Sequence, residues 1–260
     1  MVSAMGYPVT PWLTIGCGTV NYNTQADAEA VLAGYAFGTA PLVWTAPSSC
    51  GGDERLAAAP RAVGQSSWGY RTYDCAPNSP YAFGVNDLFL VAALDAAVPG
   101  STYLAMEAIL PDLNAVLAEI DISQTFWALP CNELGTAAPP ANTPAWLLWR
   151  AWALLEGLNG VGTAITHKTL HHKRPWLFPI FDNAAVGVMG RCGSPWQTLH
   201  RELTTQPNQF EHLEKWFAIQ AVKRGGVYLT RLRIHDILLW GDITGERGSL
   251  DRAGRPFLDE

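Results

Sequence analysis

The sequence predicts a mainly α-helical protein with an irregular or short-β N-terminal region. Three observations predict it. From Asn86 onward, helix caps and apolar stripes of helical period follow one another with few interruptions. Residues 39–80 are instead rich in Gly, Pro, Ser and Ala, with turn signals at Pro41, Pro47, Gly51-Gly52 and Pro60. Between them in importance stands 152–189, WALLEGLNGVGTAITHKTLHHKRPWLFPIFDNAAVGVM. It reads as a helix, a glycine turn, a second helix, an extended arm and an acid opening a third helix.

Taken in order, residues 1–26 show no sustained periodicity. DAEAVLAGYAF at 27–37 is helical, with Asp27 near its start. In the turn-rich region, 42–44 fits a short strand and WGYRTYD at 68–74 fits an edge strand packed on the core. Asn86-Asp87 can cap 88–97, and Ser101 can cap a helix reaching 109. Pro111 opens 112–120, whose Leu113, Val116, Leu117 and Ile120 share one stripe. Polar, proline-bearing 131–142 is a linker.

Thr143-Pro144 then starts a helix with proline at its first position, and Gly157 and Gly160 end it. Thr163 is placed to cap the next helix, which Pro175 stops. Residues 178–181 are forced into an extended arm that reaches Asp182, a good N-cap for 183–189. Ser194-Pro195 opens a helix to 203, and 210–222 is another. Lys223-Arg224-Gly225-Gly226 breaks it, and TRLRIHDILLW at 230–240 is the last strongly periodic segment. The tail from Gly241 reads as loosely ordered. This divides the chain into 1–85, 86–240 and 241–260.

At 260 residues a sizeable core is available to one large domain or two small ones. No run of about eighteen apolar residues predicts a membrane span, and MVSAMGYPVTPWL lacks the basic and apolar regions of a secretory signal. Cys17, Cys50, Cys75, Cys131 and Cys192 are scattered and include no C-x-x-C pair. They fit reduced thiols in the cytoplasm better than a disulfide framework or a zinc site. Net charge is −6, unevenly spread. Residues 1–149 hold three Lys/Arg against twelve Asp/Glu, whereas 150–240 hold eleven against six together with all six histidines. A basic half inside an acidic protein is the expected footprint of a local polyanion site.

The residues that matter most carry a resemblance. L-x-G-V-G-x-A from Leu158, followed after about twenty residues by P-[IV]-x-D ending at Asp182, resembles the helix-hairpin-helix DNA glycosylase superfamily (8-oxoguanine DNA glycosylase-like). Residues 168–182, K-x-L-x-x-K-R-P-x-L-x-P-[IV]-x-D, and the C-terminal LTRLRIHDILLWG are also similar to a family of uncharacterised bacterial proteins. The first resemblance implies a helix-hairpin-helix glycosylase-like helical fold. It further implies a hairpin that grips the DNA backbone and an aspartate over the sugar of a flipped nucleotide.

By that resemblance Asn159, Gly160, Val161, Gly162 and Thr163 form the hairpin, and Asp182 is the catalytic acid. The chemistry agrees. A Gly-x-Gly turn at a helix N-terminus offers phosphate several unobstructed backbone N–H groups and a favourable dipole, and Lys168, Lys173 and Arg174 lie near enough in sequence to add charge. A carboxylate beside C1′ stabilises the oxocarbenium character of N-glycosidic cleavage and can orient water. Bifunctional members of the superfamily carry an attacking lysine shortly after the glycine turn. Here Ala164 stands there, so a monofunctional enzyme that leaves an abasic site is expected. His167 and His171 share a helix face, but no third ligand stands near, so neither metal nor cofactor is expected and the histidines are placed on a DNA-facing or solvated side. Trp68, Tyr70 and Tyr73 are the candidate base pocket. An aromatic N-terminal region also admits a bulky or hypermodified base, such as phage DNA contains, and hence a defence role. The expected partner is double-stranded DNA, bound by a monomer. The alternative is a DNA-binding protein that keeps the hairpin without chemistry.

Overall fold

The computed structural model describes residues 10–38 and 67–258, apart from 95, 97 and 136. It is mainly helical, with one two-stranded antiparallel sheet among the described residues. β1 (Leu13–Ile15) and β2 (Val20–Tyr22) pair with Leu13 opposite Tyr22 and Ile15 opposite Val20. Their turn passes through left-handed backbone at Gly16, Cys17 and Gly18, which glycine adopts without steric cost. All four outer strand residues are buried, and the Tyr22 hydroxyl donates to the Leu238 carbonyl at 2.9 Å. The hairpin is therefore part of the core.

α1 (Gln25–Phe37) begins with a reciprocal cap. Asp27 N–H donates to the Thr24 hydroxyl at 3.2 Å, and Thr24 N–H donates to the Asp27 carboxylate at 3.0 Å. The strand expected at 42–44 lies outside the described residues. The edge strand expected at 68–74 is a helical segment instead, closed by a π-type turn at Tyr70–Asp74 in which Cys75 N–H reaches the Tyr70 carbonyl at 2.9 Å. The spacing of its buried rings explains the difference. Tyr70 and Tyr73 point inward, three residues apart, whereas a strand would bury alternate positions.

α2 (Val85–Phe89) runs on into a 3₁₀ turn, Leu90–Leu94. Gly84 caps it, and Asp87 reaches back from the third helical position to Gly84 N–H at 2.6 Å, so the caps expected at 86 and 87 sit inside the helix. α3 (Gly100–Ala108) and α4 (Leu110–Glu119) follow, with Leu113, Val116 and Leu117 buried as the stripe requires. α5 (Pro144–Glu156) starts as expected, its Trp146 N–H held by the Thr143 hydroxyl at 3.2 Å. After the glycine turn come α6 (Thr163–Lys173), α7 (Asn183–Met189), α8 (Pro195–Thr205), α9 (Pro207–Lys223) and α10 (Arg231–Ile243).

α10 threads the interior. Leu232, Ile234, Ile237, Leu238 and Leu239 are all buried in one continuous apolar cluster that also holds the strands and α1. Cutting one such side chain to alanine costs about 2–5 kcal/mol. The tail is not loosely ordered. α11 (Arg247–Gly254) lies along α1, and two glycines let the backbones touch. A Cβ on Gly34 would stand 1.9 Å from the Leu250 carbonyl oxygen, and one on Gly254 would stand 1.8 Å from that of Ala30. Helix propensity alone could not reveal this, because both glycines read locally as breakers.

Cys17 and Cys192 form a disulfide, with Cα atoms 5.9 Å apart across 175 residues of sequence. This corrects the reading of all five cysteines as reduced thiols. Cys17 sits in the β-turn and Cys192 in the turn after α7, a contact that no local spacing announces. Among the described residues, no helix is long and apolar enough to cross a membrane.

Candidate functional site: the return arm and Asp182

The glycine turn joins α5 to α6 across the surface. Asn159, Gly160 and Gly162 are exposed, while Val161 is buried beneath them. Gly160 has φ +82°, and a Cβ there would meet the Thr102 hydroxyl at 2.5 Å. Gly162 has ordinary φ and open space around it. The cap of α6 is Gly162, and Thr163 is the first helical residue. Among the described residues no side chain caps that end. Glu156 accepts from the hydroxyls of Thr163 at 3.2 Å and Thr166 at 3.0 Å, bracing α5 against α6 and placing a carboxylate beside the turn.

Two histidines then fix the arm. His167 Nδ1 pairs with the Pro179 carbonyl at 2.9 Å, and His171 Nδ1 pairs with the Phe178 carbonyl at 2.6 Å. A carbonyl only accepts, so both Nδ1 atoms carry the proton and both Nε2 atoms are acceptors. Burial drives the His167 imidazole down to about 4 and that of His171 to about 3, with the Arg233 charge adding to the second. Both rings are therefore neutral at pH 7. His167, His171 and His172 are all buried, which corrects their placement on a solvated or DNA-facing side.

These bonds set a direction. Residue 178 lies opposite 171 and residue 179 opposite 167, so the arm runs antiparallel to α6. The arm leads to Asp182. It is half-buried and caps α7, with its Oδ1 accepting from Ala185 N–H at 2.7 Å.

A second carboxyl stands close by. Asp236, on the face of α10 that meets α7, is driven up to about 6. Burial is the main cause; Arg233 opposes it, Asp182 adds to it and Lys168 opposes it. Arg233 is the hub. Its Nε donates to Asp74 at 2.8 Å, its Nη1 pairs with Asp236, and its Nη2 donates to the Tyr35 hydroxyl and to Asp74. Lys168 donates to the Leu94 carbonyl while remaining in electrostatic range of Asp236. Sequence reasoning missed Asp74, Arg233 and Asp236. Their one signal was RIHD on α10, where Arg233 and Asp236 share a helix face.

The chain's remaining cations are placed differently from expectation. Lys173 is 2% exposed, paired with Asp87 at 2.6 Å and bonded to the Ser79 carbonyl at 3.2 Å. Arg174 is equally buried and donates to the carbonyls of Pro80, Asp121 and Leu117. Both are structural, which removes them from the DNA-contacting set. The charge segregation in the sequence is likewise knitted together in space: Arg150 pairs with Glu119, Lys173 with Asp87 and Arg233 with Asp74. Of the expected base-pocket rings, Trp68 is 58% exposed, and Tyr70 is a core residue packed on Tyr35, Phe37 and Phe217. Tyr73 alone lines a cleft.

A profile of the family of unknown function DUF6308 matches residues 56–242. The chain belongs to this family. No curated protein and no solved structure matches it. The matched stretch of the DUF6308 chain contains the glycine turn, α6, the return arm, Asp182, Arg233 and Asp236. It leaves out the N-terminal β-hairpin, α1 and α11, which pack against it.

Proposed function

We propose that this DUF6308 protein is a monofunctional DNA glycosylase, hydrolysing the N-glycosidic bond of an extruded nucleotide in double-stranded DNA. The observation that supports the reading is the half-buried Asp182 carboxylate at the start of α7, within electrostatic range of Asp236, at the end of an arm tied to α6 by His167 and His171. In this reading the exposed glycine turn offers backbone N–H groups to phosphate while Asp182 supplies the carboxylate.

In this reading the C1′–N bond breaks with its electron pair leaving on the base. The Asp182 carboxylate faces the cationic sugar and orients the water that adds at C1′. Asp236, with its carboxyl at about 6, exchanges the proton that water gives up and the leaving base takes. Ala164 offers no amine, so the product is an intact abasic site. Asn159, Gly160, Val161, Gly162 and Thr163 hold the backbone, with Lys168 adding charge behind them. Repair of a damaged base and attack on a bulky modified base of phage DNA are both served by this chemistry.

A second reading, a hairpin DNA-binding protein without chemistry, is favoured by one contact. Asp182 accepts from Ala185 N–H, a bond that a purely structural cap would make. Mass spectrometry of bases released from duplexes carrying oxidised, alkylated, deaminated or glycosylated bases separates the two. The proposal expects release of at least one, with the strand left uncut; duplex binding without any release favours the second reading.

A further inference from the structure

The disulfide joins the hairpin, which the family match leaves out, to the matched part of the chain. Cys17 lies outside the matched stretch, in the turn between β1 and β2, and Cys192 lies inside it. Cys192 closes the short 3₁₀ turn Gly190–Cys192 that follows α7. α7 opens at Asp182. The candidate acid and the disulfide therefore stand at opposite ends of one seven-residue helix, about 10 Å long at the usual rise per residue.

The two cysteines are held very differently. The turn at Cys17 is pinned without the disulfide. Cys17 N–H and Gly16 N–H both donate to the Glu202 carboxylate, at 2.8 Å and 3.2 Å, and His235 Nε2 pairs with the same carboxylate at 2.6 Å. Cys192 has less to hold it. It is exposed and is followed by Gly193 at φ +122°, a backbone that glycine takes up far more readily than other residues. Its carbonyl accepts from Arg201 at 2.9 Å, and the chain is next anchored at Ser194, whose hydroxyl donates to the Leu134 carbonyl at 2.8 Å.

α7 adds little order of its own. A helix this short is not stable in isolation, and of its side chains Ala185 and Met189 are the buried ones. Asp182 depends on α7 in turn, because its Oδ1 accepts from Ala185 N–H at 2.7 Å. With the disulfide open, the Cys17 thiol would face the Met189 carbonyl, 3.4 Å away, as a weak donor that does not replace a covalent tie.

We propose that the Cys17–Cys192 disulfide is a redox latch on the Asp182 site. Oxidised, it holds the end of α7 to the pinned hairpin turn; reduced, it lets α7 move and Asp182 with it. The reductant is a dithiol. One of its thiolates attacks the Cys192 sulfur, on the exposed side, and the Cys17 sulfur leaves with the bonding pair and takes up the proton which the attacking thiol gave up. The second thiol then displaces the Cys192 sulfur, which takes that thiol's proton as the reductant closes its own disulfide.

Amide hydrogen exchange of the full chain, oxidised and after treatment with dithiothreitol, tests the latch apart from any chemistry on DNA. Ala185 N–H reports on the Asp182 cap. Reduction should speed exchange at Ala185 and along the rest of α7 by roughly tenfold more than in α10, and reoxidation should restore it. Cys192→Ser, at an exposed position, should exchange like the reduced protein and ignore the reductant, which separates the effect from Cys75 and Cys131. Base release, a readout that rests on the reading of Asp182 as catalytic, should slow on reduction. Absence of release in both states would count against that reading and leave the latch to be judged by exchange. A disulfide that dithiothreitol leaves intact in the folded protein would overturn the proposal. So would equal exchange in both redox states, base release indifferent to reduction, or a uniform acceleration of α7 and α10 alike, the mark of a purely structural brace.

Discussion

His171 donates its Nδ1–H to the Phe178 carbonyl at 2.6 Å, and this bond, with that of His167 to Pro179, registers the arm along α6. The histidines that looked like surface groups in the sequence are buried and tie the arm to α6. Replacing His171 by Phe keeps the bulk but leaves a buried carbonyl without its donor. It should cost about 1–3 kcal/mol of stability. Chemical denaturation of the purified variant measures this, and an unchanged midpoint would show that the bond does not hold the arm.

The same burial gives a pH signature. His167 and His171 titrate at about 4 and about 3 in the fold, below the usual 6.5, so between these values only the unfolded chain binds their protons. Stability should therefore fall as pH drops below about 6.5. Asp236 acts with opposite sign: its carboxyl titrates at about 6, above the usual 3.8, so in that window the fold binds a proton that the unfolded chain does not. Asp236→Asn removes this offset and should steepen the acid loss between pH 6 and 4 by about 1.4 kcal/mol per pH unit. Denaturation curves with equal pH slopes for wild type and variant would contradict the assignment.

Two glycines of the turn should behave differently. Gly160→Ala forces a side chain into left-handed backbone and against Thr102, and should destabilise by about 1–3 kcal/mol. Gly162→Val meets open space and should fold normally, yet crowd the N–H groups at the start of α6 and weaken duplex binding whatever the base. A stable Gly162→Val protein with unaltered DNA affinity would remove the turn from the interface.

Lys173→Ala tests the reassignment of that residue. It strands Asp87 in the interior, which should cost about 3–5 kcal/mol. Loss of stability without a change in the salt dependence of DNA affinity is the expected result. A shallower salt slope in a protein of unchanged stability would return Lys173 to the interface.

Much of the fold was legible in the sequence because its signals are local. Thr143 and Asp182 cap the helices they were expected to cap, and the stripe of Leu113, Val116 and Leu117 is buried. The misreadings of consequence for the site involve partners distant in sequence. Lys173 and Arg174 looked like phosphate ligands because Asp87 and three carbonyls are folded onto them from 50 to 100 residues away. Gly254 looked like the end of a loose tail because Ala30, which it touches, lies at the other end of the chain. Of the candidate site, the glycine turn and Asp182 were visible as a motif. Asp236 was not, since a carboxylate becomes distinctive only when burial and a neighbouring acid raise it.

The central claim is that the Asp182 carboxylate performs the bond cleavage. Asp182→Asn keeps the size of the side chain and its capping oxygen, so stability should shift by less than about 1 kcal/mol. What disappears is the negative charge that the proposed function sets against the sugar, and its loss should slow the chemical step on the order of a hundredfold or more. The direct measurement is single-turnover base release, on the substrate identified by the duplex screen, for wild type and Asp182→Asn at matched DNA occupancy. Unchanged duplex affinity with release slowed about a hundredfold or more is the expected result. Near-wild-type release by a folded Asp182→Asn protein would contradict it.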